Sequence, residues 1–165
     1  FAGTTEVNID ITGKGGHAAF PQDANDTVVA MASLIMQVQT IISRSIDPIQ
    51  SGVITLGKVE AGTIRNVIAG HAHLEGTIRG LTQEMILKID QRLKDVCEGI
   101  AKSFNVKVDL QLNQGGYWPV ENNPELTKRF IEYMKQQARQ DGLQAERETD
   151  SKNVLKIYLK DIVNF

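Results

Sequence analysis

Two segments with the hydrophobic period of a helix alternate with segments that have the two-residue period of a strand, and this order constrains the fold of the 165-residue chain most. Residues 4–12, 71–79 and 106–112 alternate between apolar and polar side chains, which is typical of strands with one buried face. Because each of these strands has one apolar face, both helices must cover the same side of one sheet. A further strand is predicted at 51–59, with apolar residues on both faces: Val53, Ile54, Leu56 and Val59.

Both helices have recognisable first residues. The first should begin at Asn25 or Asp26, which are good N-caps, and end near Arg44. The second should follow Thr82 and span residues 83–104, because its apolar residues fall on one helical face. The order β-α-β-β-α-β predicts an α+β, ferredoxin-like open-faced sandwich, in which two helices cover one face of a four-stranded antiparallel sheet.

The sandwich accounts for a first domain, which we place at residues 1–113. Residues 114–140 should contain a return segment and a third helix that begins at Pro124. The charged tail 141–165 has no partner in the first domain and is expected to be poorly ordered or packed adventitiously. The chain starts at Phe1 without a signal peptide, as expected of a piece excised from a longer protein.

Composition argues against two classes of partner. The net charge is −2 with both signs interleaved, so no basic patch indicates nucleic acid. The first helix is interrupted by Ser33, Gln37 and Gln39, so we expect no membrane-spanning segment.

Cys97 is the single cysteine, which excludes an internal disulfide and fits a reducing, cytoplasmic location.

The first helix carries more apolar residues than packing on one sheet requires. A second buried face, together with an exposed edge strand, predicts a two-fold homodimer through the helix at 26–44 and the strand at 51–59. The alternative is that a part of the protein outside this chain covers the helix. The apolar residues surround most of its circumference: Val28, Val29, Met31, Ala32, Leu34, Ile35, Met36, Val38, Ile41 and Ile42.

Three polar residues are candidates for binding or catalysis. The glycine-rich segment 13–16 allows close approach of the backbone and would present His17 at the rim of the sheet. Asn66 lies in a polar loop between two strands, and Arg79 ends a strand with the fork geometry that suits a carboxylate. From the residues alone, each also has a structural explanation: a surface histidine in a tight turn, an asparagine in a turn, and a solvated arginine.

His71, His73 and Glu75 share the polar face of one strand, where two of them could bridge a metal ion. The alternation of the strand already requires polar residues at these positions, so we predict no metal site in this chain. A metal site at His71 and His73 is the least favoured alternative.

Five motifs occur in a characteristic order: Gly13-Lys14-Gly15-Gly16-His17-Ala18-Ala19, Asp47-Pro48, Gly62-Thr63 with Asn66-Val67-Ile68, Leu74-Glu75-Gly76-Thr77-Ile78-Arg79, and Tyr117-Trp118-Pro119-Val120-x-Asn122. In this order they resemble the lid, or dimerisation, domain of the M20 metallopeptidase and aminoacylase family, over about residues 3–135. Two further segments, Gly3-Thr4-Thr5-Glu6 and Thr40-Ile41-Ile42-Ser43-Arg44, look most similar to the bacterial N-acetyldiaminopimelate deacetylases of lysine biosynthesis, with hippurate hydrolases and related N-acyl-amino-acid amidohydrolases next.

The resemblance implies amide hydrolysis at a two-metal site. Two divalent ions (Zn, Mn, Co or Ni) would activate water and polarise the acyl carbonyl of a small N-acyl amino acid substrate. His17 would enter the partner subunit's site and stabilise the oxyanion, Asn66 would bind substrate, and Arg79 would neutralise its carboxylate. The family's metal ligands lie outside this region, so the chain should hold no cofactor and be inactive without the missing catalytic domain.

One alternative belongs to a different functional class. A free-standing ferredoxin-like module that binds a protein or a small ligand would have the same strand and helix pattern. The two hypotheses differ because a lid depends on a catalytic domain elsewhere in the same protein.

Overall fold

The structure is a computed structural model that describes residues 1–115 and 117–140, with the backbone alone for residues 138–140. The predicted tail at 141–165 lies outside the described residues. The helices are α1 (Thr27–Ser45), α2 (Gln83–Phe104) and α3 (Pro124–Gln140). The strands are β1 (Gly3–Thr12), β2 (Gly16–His17), β3 (Gly52–Ala61), β4 (Val67–Ile68), β5 (His71–Gly80) and β6 (Lys107–Gln114).

Four of the strands form one antiparallel sheet in the order β3-β5-β1-β6. β1 pairs along its whole length with β5, from Gly3 opposite Gly80 to Thr12 opposite His71. α1 and α2 cover one face of this sheet, which confirms the predicted ferredoxin-like α+β sandwich. The largest fully buried side chains come from both layers and include Ile9, Ile11, Leu34, Ile41, Leu74, Ile78, Ile86, Ile89, Leu93 and Ile100.

Both core helices begin at capping residues that the sequence indicates. The Asp26 carboxylate accepts hydrogen bonds from the backbone N–H groups of Val28 and Val29. The Thr82 hydroxyl accepts one from the N–H of Met85. Each helix ends within one residue of its predicted end, because the caps and the apolar stripe set the same boundaries.

A β-bulge in β3 changes the side-chain pattern of this strand. The pairing with β5 shifts at Gly57, which is the extra residue. The bulge reverses the alternation, so Val59 lies opposite Leu74 on the helix-covered side, together with Ile54. Val53 is the apolar side chain that remains on the open face. Apolar side chains therefore lie on both faces of β3, as predicted, but a two-residue count does not show which face Val59 takes, because it does not register an inserted residue.

α1 has one face in the core and another exposed. Leu34, Val38 and Ile41 are buried, whereas Met36 is 70% exposed and Val29 is 51% exposed. By length and composition alone, α1 is apolar enough to cross a membrane, because its polar interruptions do not lower its mean hydropathy sufficiently. Ser33, Gln37 and Gln39 therefore do not exclude a membrane-spanning segment at α1 when its length and composition alone are considered. Its packing on the sheet is that of a core helix.

The chain divides after Val120. Phe1–Val120 form one compact unit that contains the sandwich, and α3 belongs to a second unit that begins at Glu121. α3 starts at the predicted Pro124, after Asn123, whose side-chain oxygen accepts hydrogen bonds from backbone N–H groups of the first turn. The domain boundaries placed after residues 113 and 140 stay predictions.

Candidate functional site

Two loops meet at one end of the main sheet and form a small second sheet. β2 pairs with β4, with His17 opposite Val67. The N–H of Ala18 donates to the carbonyl of Asn66 at 3.1 Å. This pairing brings two of the predicted site residues, His17 and Asn66, to one tip, which we call the β2–β4 tip. The sequence does not reveal this small sheet, because two-residue strands have no measurable periodicity.

The crossing of the two loops depends on glycines. A Cβ atom on Gly15 would lie 2.9 Å from the carbonyl oxygen of Ile68, and one on Gly70 would lie 3.0 Å from the nitrogen of Gly15. The N–H of Gly13 donates to the carbonyl of Gly70 at 2.9 Å. The glycine-rich segment therefore allows the two backbones to approach more closely than residues with a Cβ would.

The start of α1 is tied to the same crossing. Thr27 is fully buried, and its hydroxyl donates to the carbonyl of Ala69 at 2.9 Å. The N–H of Asn25 donates to the carbonyl of Lys14 at 2.8 Å. α1, β2 and β4 are thus held together, which fixes the backbone of both site residues at the tip. The sequence carries no signal for Thr27, because its partner is distant along the chain.

The imidazole of His17 is exposed, yet one of its nitrogens is already engaged. Nδ1 accepts a hydrogen bond from the N–H of Ala19 at 3.1 Å. Because a backbone N–H only donates, Nδ1 carries no proton, and the neutral ring is protonated on Nε2. Within the described part of the chain, Nε2 has no hydrogen-bond partner. His17 therefore offers an unused N–H donor.

Asn66 adds a second polar group at the β2–β4 tip. Its residue is exposed, and among residues 1–115 and 117–140 its side-chain amide has no hydrogen-bond partner. An amide both donates and accepts, so Asn66 and the Nε2–H of His17 together suit a ligand that carries carbonyl or amide groups.

Arg79 lies at the far end of β5, away from the tip. β4 ends shortly before His71, and His71 and Arg79 are separated by roughly 26 Å at 3.3 Å per residue. A single chain therefore does not bring Arg79 to His17 and Asn66. Arg79 is exposed and has no ion-pair partner in the described ranges, so its guanidinium is available to a carboxylate.

His71 and His73 belong to a hydrogen-bonded network on the open face of the sheet. His71 Nε2 and His73 Nδ1 each lie 3.0 Å from Asp10 Oδ1. His73 Nε2 lies 3.2 Å from Glu75 Oε1, and Lys58 Nζ donates to that oxygen at 2.7 Å. These side chains bind one another, and within the described residues no group of three or more His, Cys, Asp or Glu is arranged to hold a metal ion. The donor set of this part of the chain does not fit a metal pair.

This network shifts the pKa values of its members. The hydrogen bond with His73 lowers the pKa of Asp10, and the same bond raises the pKa of His73. The hydrogen bond with Lys58 lowers the pKa of Glu75 and raises that of Lys58. Asp10 and His73 therefore attract each other most when the carboxylate is ionised and the imidazole is protonated.

We expect Asp10→Asn to destabilise the chain most near about pH 5 and less on either side. The folded-state pKa of His73 is raised, so its contribution is complete below the unfolded value of 6.5 and is lost as the pH rises through the folded value. The folded-state pKa of Asp10 is lowered, so its contribution is complete above the unfolded value of 3.8 and is lost as the pH falls through the folded value. Urea unfolding of both proteins across this range measures the difference.

Asp95→Asn is the matched control for this experiment. Asp95 forms an exposed ion pair with Arg92 at 2.8 Å and no contact with a histidine. Its effect on stability should therefore not change as His73 titrates. Asp109, which lies opposite Asp10 in β6, is present in the wild type and in both variants. A destabilisation by Asp10→Asn that stayed constant through the titration of His73 would contradict the prediction.

Most of the sequence is similar to known proteins. Residues 2–105 match the family described as "Peptidase dimerisation domain" (M20_dimer). The chain is 84% identical over 135 residues to the N-acetyldiaminopimelate deacetylase of Lactobacillus helveticus. The aligned region covers 82% of this chain and 35% of that protein. It is 81% identical over 136 residues to the Limosilactobacillus reuteri protein of the same name, with 82% and 36% covered. The chain thus spans about a third of the length of these relatives.

A solved structure extends the likeness to three dimensions. It is the crystal structure of a protein described as an aminohydrolase, from methicillin resistant Staphylococcus aureus. It superposes with a TM-score of 0.79 at 31% sequence identity, over 82% of this chain and 36% of that one. The shared region is again about a third of the larger protein.

Proposed function

The chain belongs to the M20 peptidase dimerisation domain family, and we propose that it is the lid of a bacterial amidohydrolase that deacetylates N-acetyldiaminopimelate. The observation that carries this proposal is the exposure of His17 and Asn66 together at the β2–β4 tip. Over 135 and 136 residues, the chain is 84% and 81% identical to two deacetylases of this name. The reaction is then the hydrolysis of a linear amide, and the enzyme acts in cytoplasmic lysine biosynthesis.

His17 supplies a hydrogen-bond donor to the developing oxyanion. The N–H of Ala19 occupies Nδ1, which leaves Nε2–H as the donor for a ligand. When water attacks the acyl carbonyl, negative charge collects on its oxygen. A donor about 3 Å from that oxygen stabilises the transition state more than the substrate, and this difference accelerates the reaction.

Asn66 and Arg79 bind other parts of the substrate. Asn66 hydrogen-bonds the amide region beside His17, and Arg79 pairs with a carboxylate. Because almost the whole of β5 separates Arg79 from the tip, the three residues do not contact one small substrate within one chain. We therefore assign Arg79 to the site of its own protomer, and His17 with Asn66 to the site of the partner.

The two divalent ions belong to the part of the enzyme outside this chain. In this chain Asp10, His71, His73 and Glu75 bind one another instead of converging on an ion. Bound ions of this kind supply an activated water and polarise a carbonyl. The residues of this chain therefore bind and orient the substrate, and the chain by itself is expected to be inactive.

Self-association uses the predicted helix at 26–44 and strand at 51–59. β3 is an edge of the sheet, and Val53 and Met36 expose 51% and 70% of their surface. A cleft lined by Gln39, Ile42, Val53 and neighbouring residues lies between α1 and β3. A second copy that places its β3 alongside would continue the sheet across a two-fold axis and cover these apolar side chains.

The substrate preference of the enzyme that contains this chain tests the proposed function. We expect kcat/KM for N-acetyldiaminopimelate to exceed that for hippurate (N-benzoylglycine) by about ten-fold or more. Hippurate lacks the additional charged groups of diaminopimelate, so the polar groups of the site that bind them would stay unpaired. The 165-residue chain assayed alone is the control and should show no hydrolysis. Equal or reversed preference would favour a hippurate hydrolase, and hydrolysis by the isolated chain would contradict its assignment as a lid.

A further inference from the structure

The turn that carries His17 also carries an aromatic side chain. The ring centroid of Phe20 lies 5.6 Å from that of the His17 imidazole, and the two planes are tilted by 51°. The N–H of Phe20 donates to the carbonyl of His17 at 2.9 Å, which closes a tight four-residue turn. The turn thus brings both the Ala19 N–H and the Phe20 ring to the imidazole.

The backbone on the far side of Phe20 is also fixed. The carbonyl of Phe20 accepts a hydrogen bond from Asp23 at 3.1 Å, within a short 3-10 turn that begins at Pro21. Proline restricts its own φ and disfavours helical backbone in the residue before it. Backbone hydrogen bonds on both sides of Phe20 therefore fix the position of its Cα. The side chain projects from a fixed backbone, although 55% of the residue is exposed.

The imidazole needs such a neighbour if it is to keep one orientation. The residue is exposed, and a single hydrogen bond from Ala19 N–H competes with water there, so this bond alone holds the ring weakly. The Phe20 ring, whose centroid lies 5.6 Å from that of the imidazole, adds a ring–ring contact that is favourable only in certain relative orientations. It also occupies space into which the imidazole would otherwise rotate.

We propose that Phe20 is a positioning residue for His17, whose ring keeps the imidazole oriented with Nδ1 on the Ala19 N–H and Nε2–H left for a ligand. The catalytic consequence rests on the proposed function, whereas the orientation itself is a property of this chain. A donor that is already oriented needs no reorganisation when the oxyanion forms. The loss of Phe20 should therefore lower kcat and leave KM nearly unchanged.

The first test measures the tautomer of the His17 imidazole by NMR, in the 165-residue chain labelled with 15N-histidine. Wild type should show a single His17 tautomer, protonated on Nε2, whereas Phe20→Ala should show exchange between the two tautomers. Phe20→Tyr, which keeps a ring, should behave as wild type. Leu81→Ala is the matched control, because Leu81 is 51% exposed and lies beyond the far end of β5. A mixed tautomer in wild type, or an unchanged one in Phe20→Ala, overturns the proposal.

The second test measures kcat and KM in the complete enzyme. Phe20→Ala should lower kcat about ten-fold with KM within about two-fold of wild type, in line with a misoriented oxyanion donor. Phe20→Tyr should restore most of kcat. Equal losses in both variants would overturn the positioning role. If His17→Ala had no effect on kcat in the same assays, the proposed function would fail, and the tautomer measurement would still decide the orientation.

Discussion

His17→Ala in the complete enzyme should lower kcat by about 10²–10³-fold and leave KM nearly unchanged, as expected for the loss of one oxyanion donor. The physical reason is that Nε2–H interacts with charge that exists only in the transition state. Arg79→Ala should instead act mainly on KM, because a carboxylate pair is present in the bound substrate as well. Steady-state kinetics with N-acetyldiaminopimelate measures both effects.

A mixture of these two impaired variants, assayed at a substrate concentration well below KM, tests whether His17 acts in the partner's site. In a mixed dimer of His17→Ala and Arg79→Ala chains, one of the two sites receives an intact His17 from one chain and an intact Arg79 from the other. Random mixing of the chains should therefore recover about a quarter of wild-type activity in a two-fold dimer. The same variants assayed separately are the controls.

Two outcomes of the mixing experiment would contradict the assignment. No recovery after subunit exchange would mean that one chain supplies both His17 and Arg79 to a given site, which the length of β5 between them does not allow without a rearrangement. A His17→Ala enzyme with wild-type kcat would remove the catalytic role of the tip altogether.

Met36→Glu should convert the chain from dimer to monomer, with the dissociation constant raised by about 100-fold or more. Met36 is 70% exposed on the side of α1 that the core does not use, and a glutamate there would be buried without a counter-charge in the proposed contact. Sedimentation equilibrium of the 165-residue chain measures this constant. The same substitution in the complete enzyme should lower turnover at least as much as His17→Ala does, because neither His17 nor Asn66 would reach a second site.

Leu87→Glu provides the matched control on the other helix. Leu87 is 51% exposed on α2, outside the proposed contact between α1 and β3. It should leave both the dissociation constant and kcat close to wild type. A wild-type chain that stays monomeric at high concentration, or a Met36→Glu chain that dimerises normally, would refute the contact through α1.

The layers of this fold are predictable from sequence because each depends on local periodicity and capping. The alternation in residues 4–12 marks β1, and the caps Asp26 and Thr82 mark the start of each core helix. The candidate site is less accessible. His17 and Asn66 are identifiable as members of motifs, but only the pairing of β2 with β4 shows that they share one tip.

The features that sequence reasoning does not reach depend on contacts between distant residues. The hydroxyl of Thr27 finds the carbonyl of Ala69, and the carboxylate of Asp10 finds two histidines from another strand. These contacts have no signature in hydrophobic period or charge pattern, because each is set by the way the strands are aligned. The tautomer of His17 is a local feature instead, since it depends on the N–H of Ala19 in the same tight turn, and neither pattern predicts the geometry of that turn.

The bulge at Gly57 limits how far a sheet built from two copies can extend. An inserted residue interrupts the regular spacing of backbone donors and acceptors along β3, so an approaching strand finds two short ladders, over Gly52–Leu56 and over Lys58–Ala61, instead of one continuous ladder. Such an edge accepts a short, matched strand and resists a long, unrelated one. The same irregularity that places Val59 opposite Leu74 thereby makes β3 a poor template for edge-to-edge pairing with an unrelated strand.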